Sequence, residues 1–460
     1  METIHIQWLL IIASSVILFF LAPRAKTLND FFRGSKNEQA PSFWMLTSSL
    51  VISWIFAKSI TVSANLGMSF GIVGGVAYAG YYLSFLVAGL IIYRMRTKGG
   101  FQSIHHFLQT RYGKGAILIF SLLIGFRLMN EVWSNTMVIG TYFGEKGSGG
   151  YFAAIVVFTL LTMAYTIKGG LRSSLLTDLI QMVLFGVLLV VILGVLIPTQ
   201  EGGVSAFLES GEWTMATGLN LLFVAFIQIF SYPFHDPVMT DRGFIAEPKK
   251  TLKAFVVATV IGSLSIVLFS FVGVYANMNG LSGQAPVEVG KLLGVGMMLM
   301  MNFIMITSAA STLDSSFNSF SKLAVIDLKL FAQPSIAIGR WVILGMVVFG
   351  TIPIFLGAEI LSATTVSGTM VLGLTPVFLF WNKPFPKVSF HLSVGVGFVM
   401  GIIYAFGVWP KDWIFFDGKY GDLLSVNIVG VVLCIIVFLL PKLFLTTERA
   451  RLSSAELNEN

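Results

Sequence analysis

The chain has 460 residues, 56% of them hydrophobic and only 11% charged, with 41 Phe and a formal net charge of +7. With a mean hydropathy of +0.85, that composition excludes a water-soluble domain of this size, and the lack of short alternating segments excludes a closed β-barrel. The lone Cys434 excludes a disulfide framework or a cysteine metal site, and basic residues confined to loops do not predict a nucleic-acid partner.

Thirteen apolar segments follow one another along the chain: 5–23, 43–66, 72–95, 117–144, 150–168, 174–197, 217–235, 253–277, 292–323, 336–357, 361–381, 389–409 and 424–444. Each is close to or above the ~20 residues that a helix needs to cross a bilayer, and several have length to spare for tilt or breaks. The first lacks a basic start and a small-residue cleavage site, so it reads as a retained span rather than a signal peptide. Counting Lys and Arg in alternate loops gives 23 on one side and 4 on the other. The first set includes Arg242, Lys249, Lys250, Lys253 and Lys322. Cationic loops stay in the cytoplasm, so the N-terminus is expected outside and the C-terminus inside. Two basic residues, Lys58 and Arg127, fall inside spans, which makes each a functional candidate.

The second segment reads "AKSITVSANLGMSFG", with small and hydroxyl residues at Ser59, Thr61 and Ser63, then Asn65 and Gly67. Such a run makes a poor continuous lipid-facing helix. Five segments later comes "FIQIFSYPFHDPVMTDRG", a short span ending in Tyr232, Pro233, His235, Asp236 and Pro237. The prolines remove backbone donors and free carbonyls. Transporters often repeat a helical unit in inverted orientation, each unit opened by a broken helix with the solute site at the breaks. Segments 2–6 and 7–11 are expected to be two such units, although prolines and glycines also merely kink membrane helices. The units are placed at 43–200 and 201–382, preceded by a first helix and loop (1–42) and followed by two helices and a tail (383–460).

Between these breaks, Arg127 and Glu131 stand at i and i+4 on the fourth segment, the spacing of a mutual ion pair. Arg127 either orients helices through that pair or offers its planar fork to a substrate carboxylate. On the ninth segment, "ITSAASTLDSSFNSFSK" places Thr307, Ser308, Ser311 and Asp314 on one helical face. Hydroxyls, carboxylates and freed carbonyls suit a hard cation such as Na⁺. Serines and threonines also hold membrane helices together. Aromatics including Phe56, Tyr78, Tyr81 and Tyr232 are candidates to line a cavity. His105 and His106, adjacent in a loop without acids, are poor metal evidence.

In order along the chain, "FQSIHHFLQTRYG", "YTIKGGLRSSLLTDLIQ", "DPVMTDRGFIAEPKKTLKA" and "TSAASTLDSSFNSFSKLAVIDL" resemble the sodium:solute symporter family. That resemblance implies an all-α polytopic membrane protein with a LeuT-like 5+5 inverted repeat, in the inner membrane of a bacterium. It implies a sodium ion held by the carbonyls of Ala57, Ile60 and Ile304 and the hydroxyls of Thr307 and Ser308. A second sodium in some members uses two more serines and an Asp; here those positions are Ala310, Ser311 and Asp178, one hydroxyl short. Asp178 and Ser311 are then expected on the ion's path to the cytoplasm.

Lys58 departs from the family, which has small or polar residues there. A fixed positive charge ~5–8 Å from a sodium ion costs several kcal/mol at low effective dielectric. Three readings stay open. Lys58 pairs with Asp178, Glu131, Asp236 or Asp314; it is deprotonated by burial and takes part in proton coupling; or it stands in for the cation or holds an anionic substrate. The expected function is cation-coupled secondary transport of a small polar or charged solute through Lys58, Ser59, Thr61, Arg127, Glu131, Tyr232, His235 and Asp236. A sodium-independent carrier is the alternative, and a transporter-like sensor is less expected because these 460 residues add no signalling domain. No nucleotide loop or acyl-transfer triad points to an enzyme, and no cofactor beyond Na⁺ is expected. The partners expected are the solute, Na⁺ and the bilayer, with no oligomeric state assigned.

Overall fold

The computed structural model describes residues 3–35, 39–356 and 362–458. Among them, nine helices are each long and apolar enough to cross a membrane, or ten if the bent pair Phe43–Ile52 and Ala57–Phe70 counts as one span. The difference from thirteen has a physical origin. The helix Gly149–Leu196 has 48 residues, ~72 Å at 1.5 Å per residue, which is two crossings rather than one. Its halves join at Gly170, whose φ of 59° and ψ of −149° interrupt the helical backbone. A Cβ at that position would stand 2.4 Å from the Phe31 carbonyl oxygen, so only glycine fits. Three further predicted segments are interrupted. The first is 43–66 and the second is 217–235. The third, 361–381, is split into Ser362–Met370 and Leu374–Leu379, and residue 361 lies outside the described residues.

The first broken span bends by 56°. Its leading helix closes with turn bonds from the Trp54 and Ile55 amides to the Val51 carbonyl, and Phe56 is extended (φ −62°, ψ 150°). The next helix starts at Ala57 without a side-chain cap, so the broken backbone must find partners elsewhere in the protein. It does: Tyr82 Oη donates to the Trp54 carbonyl at 2.5 Å, and the Lys58 amide donates to Asn135 Oδ1 at 3.1 Å.

The second broken span runs as Leu219–Gln228, a short 3₁₀ turn Tyr232–His235, and Pro237–Arg242. Pro233 and Pro237 cannot donate to a ladder, which ends the first helix and starts the second. Asp236 caps the restart, accepting from the Val238 amide at 2.9 Å and the Met239 amide at 3.4 Å. Lys114–Gly140 and Val295–Lys322, the third helix of each predicted unit, pack against both breaks.

Candidate functional site

The two breaks meet. Trp54 Nε1 in the first donates to Asp236 Oδ2 in the second at 2.8 Å. Around that contact the structure gathers Lys58, Arg127, Glu131, Tyr232, His235 and Asp236, none more than 3% exposed. Lys58 Nζ lies 2.8 Å from Glu131 Oε1 and 3.2 Å from Asn130 Oδ1. Arg127 pairs with the same Glu131 oxygen, as the i,i+4 spacing predicts, and reaches Asp236 Oδ2 at 3.5 Å. Of the acids weighed for Lys58, the partner is Glu131. Asn135 donates to its other oxygen at 3.0 Å. Phe56 lies beneath both cations, 5.2 Å from Lys58 Nζ and 5.6 Å from the Arg127 guanidinium carbon. Tyr232 carries Arg127 on its face at 5.1 Å and His235 edge-on at 4.8 Å. Ser59 accepts from Tyr78 at 3.1 Å, which anchors the wall of the first break.

Nearly one turn further along, Thr61 reaches a different element. Thr61 Oγ1 donates to the Ala57 carbonyl at 2.8 Å and contacts Met305 of the serine-rich helix Val295–Lys322. Lys58 contacts Lys114–Gly140 and Thr61 contacts Val295–Lys322, the two positions standing about 60° apart around the helix. On that serine-rich helix, Thr307 Oγ1 donates to the Ile304 carbonyl at 2.9 Å, and Ser308 Oγ is buried without a hydrogen-bond partner. Ala57, Ile60, Ile304 and Ser308 are fully buried, and Thr307 nearly so. Carbonyls and hydroxyls of this kind are the ligand types a hard cation takes.

A second polar group lies nearer the side assigned to the cytoplasm. Asp178 accepts from Ser49 and Ser311, each at 2.5 Å, and lies 3.7 Å from Arg242. Arg242 also donates to Ser49 and Ser315, each at 2.9 Å. This corrects the reading of Arg242 as a loop charge: it is fully buried. A cation that closes a span looks like a loop residue in one dimension, and only packing turns it inward. Asp314 accepts from Ser174 at 2.7 Å and Thr177 at 2.9 Å on Gly149–Leu196. The hydroxyl stripe therefore tethers helices along Ser311 and Asp314, and its unsatisfied hydroxyl is at Ser308.

A cavity of about 730 Å³ opens below, lined by residues from the loops assigned to the cytoplasm, including Arg33, His105, His106, Asp241, Lys322 and Asp327. Lys322 bridges Asp241 at 2.7 Å and Asp327 at 2.9 Å at its edge. Burial pushes His105, outside the spans, below its ordinary value. No cluster of three or more His, Cys, Asp or Glu placed to hold a metal occurs among the described residues, which include both histidines. Sequence reading missed Trp54, Asn130 and Asn135 as site residues. Trp54 stands next to the break, and the two amides lie within one turn of Glu131; those positions were the available signal.

No protein-family model matches the chain. Sodium/glucose cotransporter 1 of Oryctolagus cuniculus is 25% identical over 212 residues, 43% of this chain and 31% of that protein. The urea active transporter of Saccharomyces cerevisiae is 24% identical over 140 residues, 29% of this chain and 18% of that one. The urea-proton symporter DUR3 of Oryza sativa subsp. japonica is 26% identical over 152 residues, 32% and 21% respectively. The chain thus aligns with under a third of the length of these relatives, which are consistent with the sodium:solute symporter resemblance. Among solved structures, a substrate-bound, outward-open Na⁺-coupled sialic acid symporter superposes with a TM-score of 0.74 at 17% identity, covering 94% of this chain and 96% of that one. A nucleobase-cation-symport-1 family transporter in a closed conformation gives 0.56 at 11% identity, covering 92% and 96%. MhsT in complex with L-phenylalanine gives 0.56 at 17% identity, covering 87% and 99%. The fold is the all-helical LeuT-like inverted repeat.

Proposed function

We propose that this chain is a secondary active transporter that moves a small polar solute across a membrane by alternating access, coupled to Na⁺. The observation that carries the reading is the pair of mid-span breaks joined at Trp54 and Asp236, with four ionised side chains buried around them. Broken backbone and buried charge at the centre of a bundle are costly, and they are retained where a solute or ion passes. The relatives are transporters, among them a sodium/glucose cotransporter and a urea transporter.

Ala57, Ile60, Ile304, Thr307 and Ser308 would hold the sodium ion as co-substrate, and the unpartnered Ser308 hydroxyl supports that assignment. Glu131 neutralises Lys58, so its charge would not compete with the ion. That pairing weighs against a carrier in which Lys58 replaces the cation. Asp178 and Ser311, hydrogen-bonded to each other at 2.5 Å, would carry the ion onward to the cytoplasm. The central residues are buried, so the conformation is closed around the solute site; movement of the two five-helix units against each other would expose it to either side. We place the protein in a bacterial inner membrane, with the N-terminus outside and the C-terminus in the cytoplasm.

The test is uptake into proteoliposomes with an inward Na⁺ gradient, repeated with Na⁺ replaced by choline at fixed pH. The expected result is accumulation only with Na⁺. Accumulation unchanged in choline overturns the coupling, and no movement of any solute that binds overturns transport.

A further inference from the structure

We propose that the solute taken at the central site is an uncharged polar molecule, which donates an N–H or O–H to His235 Nε2 and accepts from Arg127 Nε. This rests on the transport reading above and adds the chemical class of the cargo.

Charge balance is the first argument. Lys58 and Arg127 face Glu131 and Asp236 in one buried group, so the site sums to zero without a ligand. A solute with net charge would leave one charge uncompensated where water is excluded, and desolvation then outweighs attraction.

The second argument comes from the carboxylates. Glu131 Oε1 is engaged by Lys58 and Arg127, and Oε2 by Asn135. Asp236 Oδ1 caps the restarted helix through Val238 and Met239, and Oδ2 takes Trp54 and Arg127. Both carboxylates are thus already neutralised by Lys58 and Arg127, so the ammonium of a zwitterion would meet no uncompensated negative charge.

Two unsatisfied atoms remain beside the Tyr232 ring. Arg127 Nε is a buried donor without a partner, and His235 Nε2 is a buried ring nitrogen without one. His235 Nδ1 lies 2.5 Å from the Tyr232 carbonyl, which can only accept, so Nδ1 carries the proton. A second ring proton would add another positive charge beside Arg127, and Nε2 is therefore an acceptor. Buried polar atoms are nearly always hydrogen-bonded, so an orphan donor and acceptor on one aromatic wall are atoms that a ligand can satisfy. A carbonyl or hydroxyl oxygen for Arg127, together with an amide or hydroxyl proton for His235, satisfies both and leaves the ion pairs intact.

The experiment is a thermal-shift panel on purified full-length protein in Na⁺ at neutral pH. Urea, glucose and inositol are the uncharged probes, alanine and proline the zwitterions, lactate the anion and methylammonium the cation. The expected result is a raised midpoint with at least one uncharged probe and with none of the others. A charged or zwitterionic hit stronger than every uncharged one, or an uncharged set without a hit, overturns the proposal. For a hit, His235→Ala is expected to weaken binding about tenfold, while His235→Gln, which keeps an acceptor, restores most of it. Equal affinity in all three overturns the role of His235. Counterflow in proteoliposomes separates the two levels: an uncharged solute that binds without crossing refutes transport and upholds the class, whereas a charged solute that crosses refutes the class and upholds transport.

Discussion

Lys58→Met removes one of two cations from a buried carboxylate and leaves one positive charge against two negative ones. The Nζ–Oε1 separation is 2.8 Å. At an effective dielectric constant of about 20 the gross attraction at that distance is roughly 6 kcal/mol, and breaking a buried pair by removing one partner costs on the order of 3–5 kcal/mol net. Arg127 still holds Glu131, so about 3 kcal/mol, the low end, is expected. The double variant Lys58→Met/Glu131→Gln restores zero net charge and is expected to recover at least half of that loss. Unfolding midpoints in detergent across the four members of this cycle measure the stability term. Uptake titrated with Na⁺ measures the other half of the reasoning: because Lys58 faces Lys114–Gly140, half-saturation by Na⁺ is expected to stay within about threefold of wild type. A wild-type midpoint in Lys58→Met, or a double variant no more stable than the single, would falsify the pairing. A Na⁺ requirement that arises only when Lys58 is removed would show that the lysine substitutes for the ion.

Ser308→Ala deletes a hydroxyl that bonds nothing in the protein, so the unfolding midpoint should hold while half-saturation by Na⁺ rises about tenfold; an unmoved Na⁺ titration removes Ser308 from the ion site. Arg242→Met strips Asp178 of its cation and is expected to lose about 3–5 kcal/mol, largely recovered by adding Asp178→Asn. If that second change brings no recovery in midpoint, the pair is not what holds this region. Gly170→Ala forces a left-handed backbone on alanine and a close approach to the Phe31 carbonyl, a penalty of at least about 1–3 kcal/mol. Gly194→Ala, on the same helix with open space around it, is the control and should leave the midpoint unchanged.

Much of the fold was legible in the chain itself, because crossing a bilayer imposes a length and an apolarity that few other structures share. Each of the thirteen predicted segments contains helix among its described residues, with breaks inside 43–66, 217–235 and 361–381. The second break was readable at Pro233 and Pro237, where a missing N–H is a local fact; the first was expected in the polar run from Ala57, but that run is a continuous helix and the break falls just before it, between Ile52 and Ala57. The i,i+4 pairing of Arg127 with Glu131 was readable for the same reason: both residues lie on one helix, and its pitch is known.

What needed tertiary structure was every contact between helices. Glu131, rather than Asp178, Asp236 or Asp314, became the partner of Lys58 because the restarted helix packs with position 58 against Lys114–Gly140. Arg242 passed for a loop charge because a residue's depth at the end of a span depends on what covers it, and Ser49, Ser315 and Asp178 cover it from other spans. Trp54 carried no polar signature in the sequence, yet its ring N–H ties the two breaks together. The chain determined by composition and length where it crosses the membrane and which of its segments are broken. Only the azimuth of each helix, set by packing of side chains far apart in sequence, decided which charges cancel and which atoms remain free for a solute.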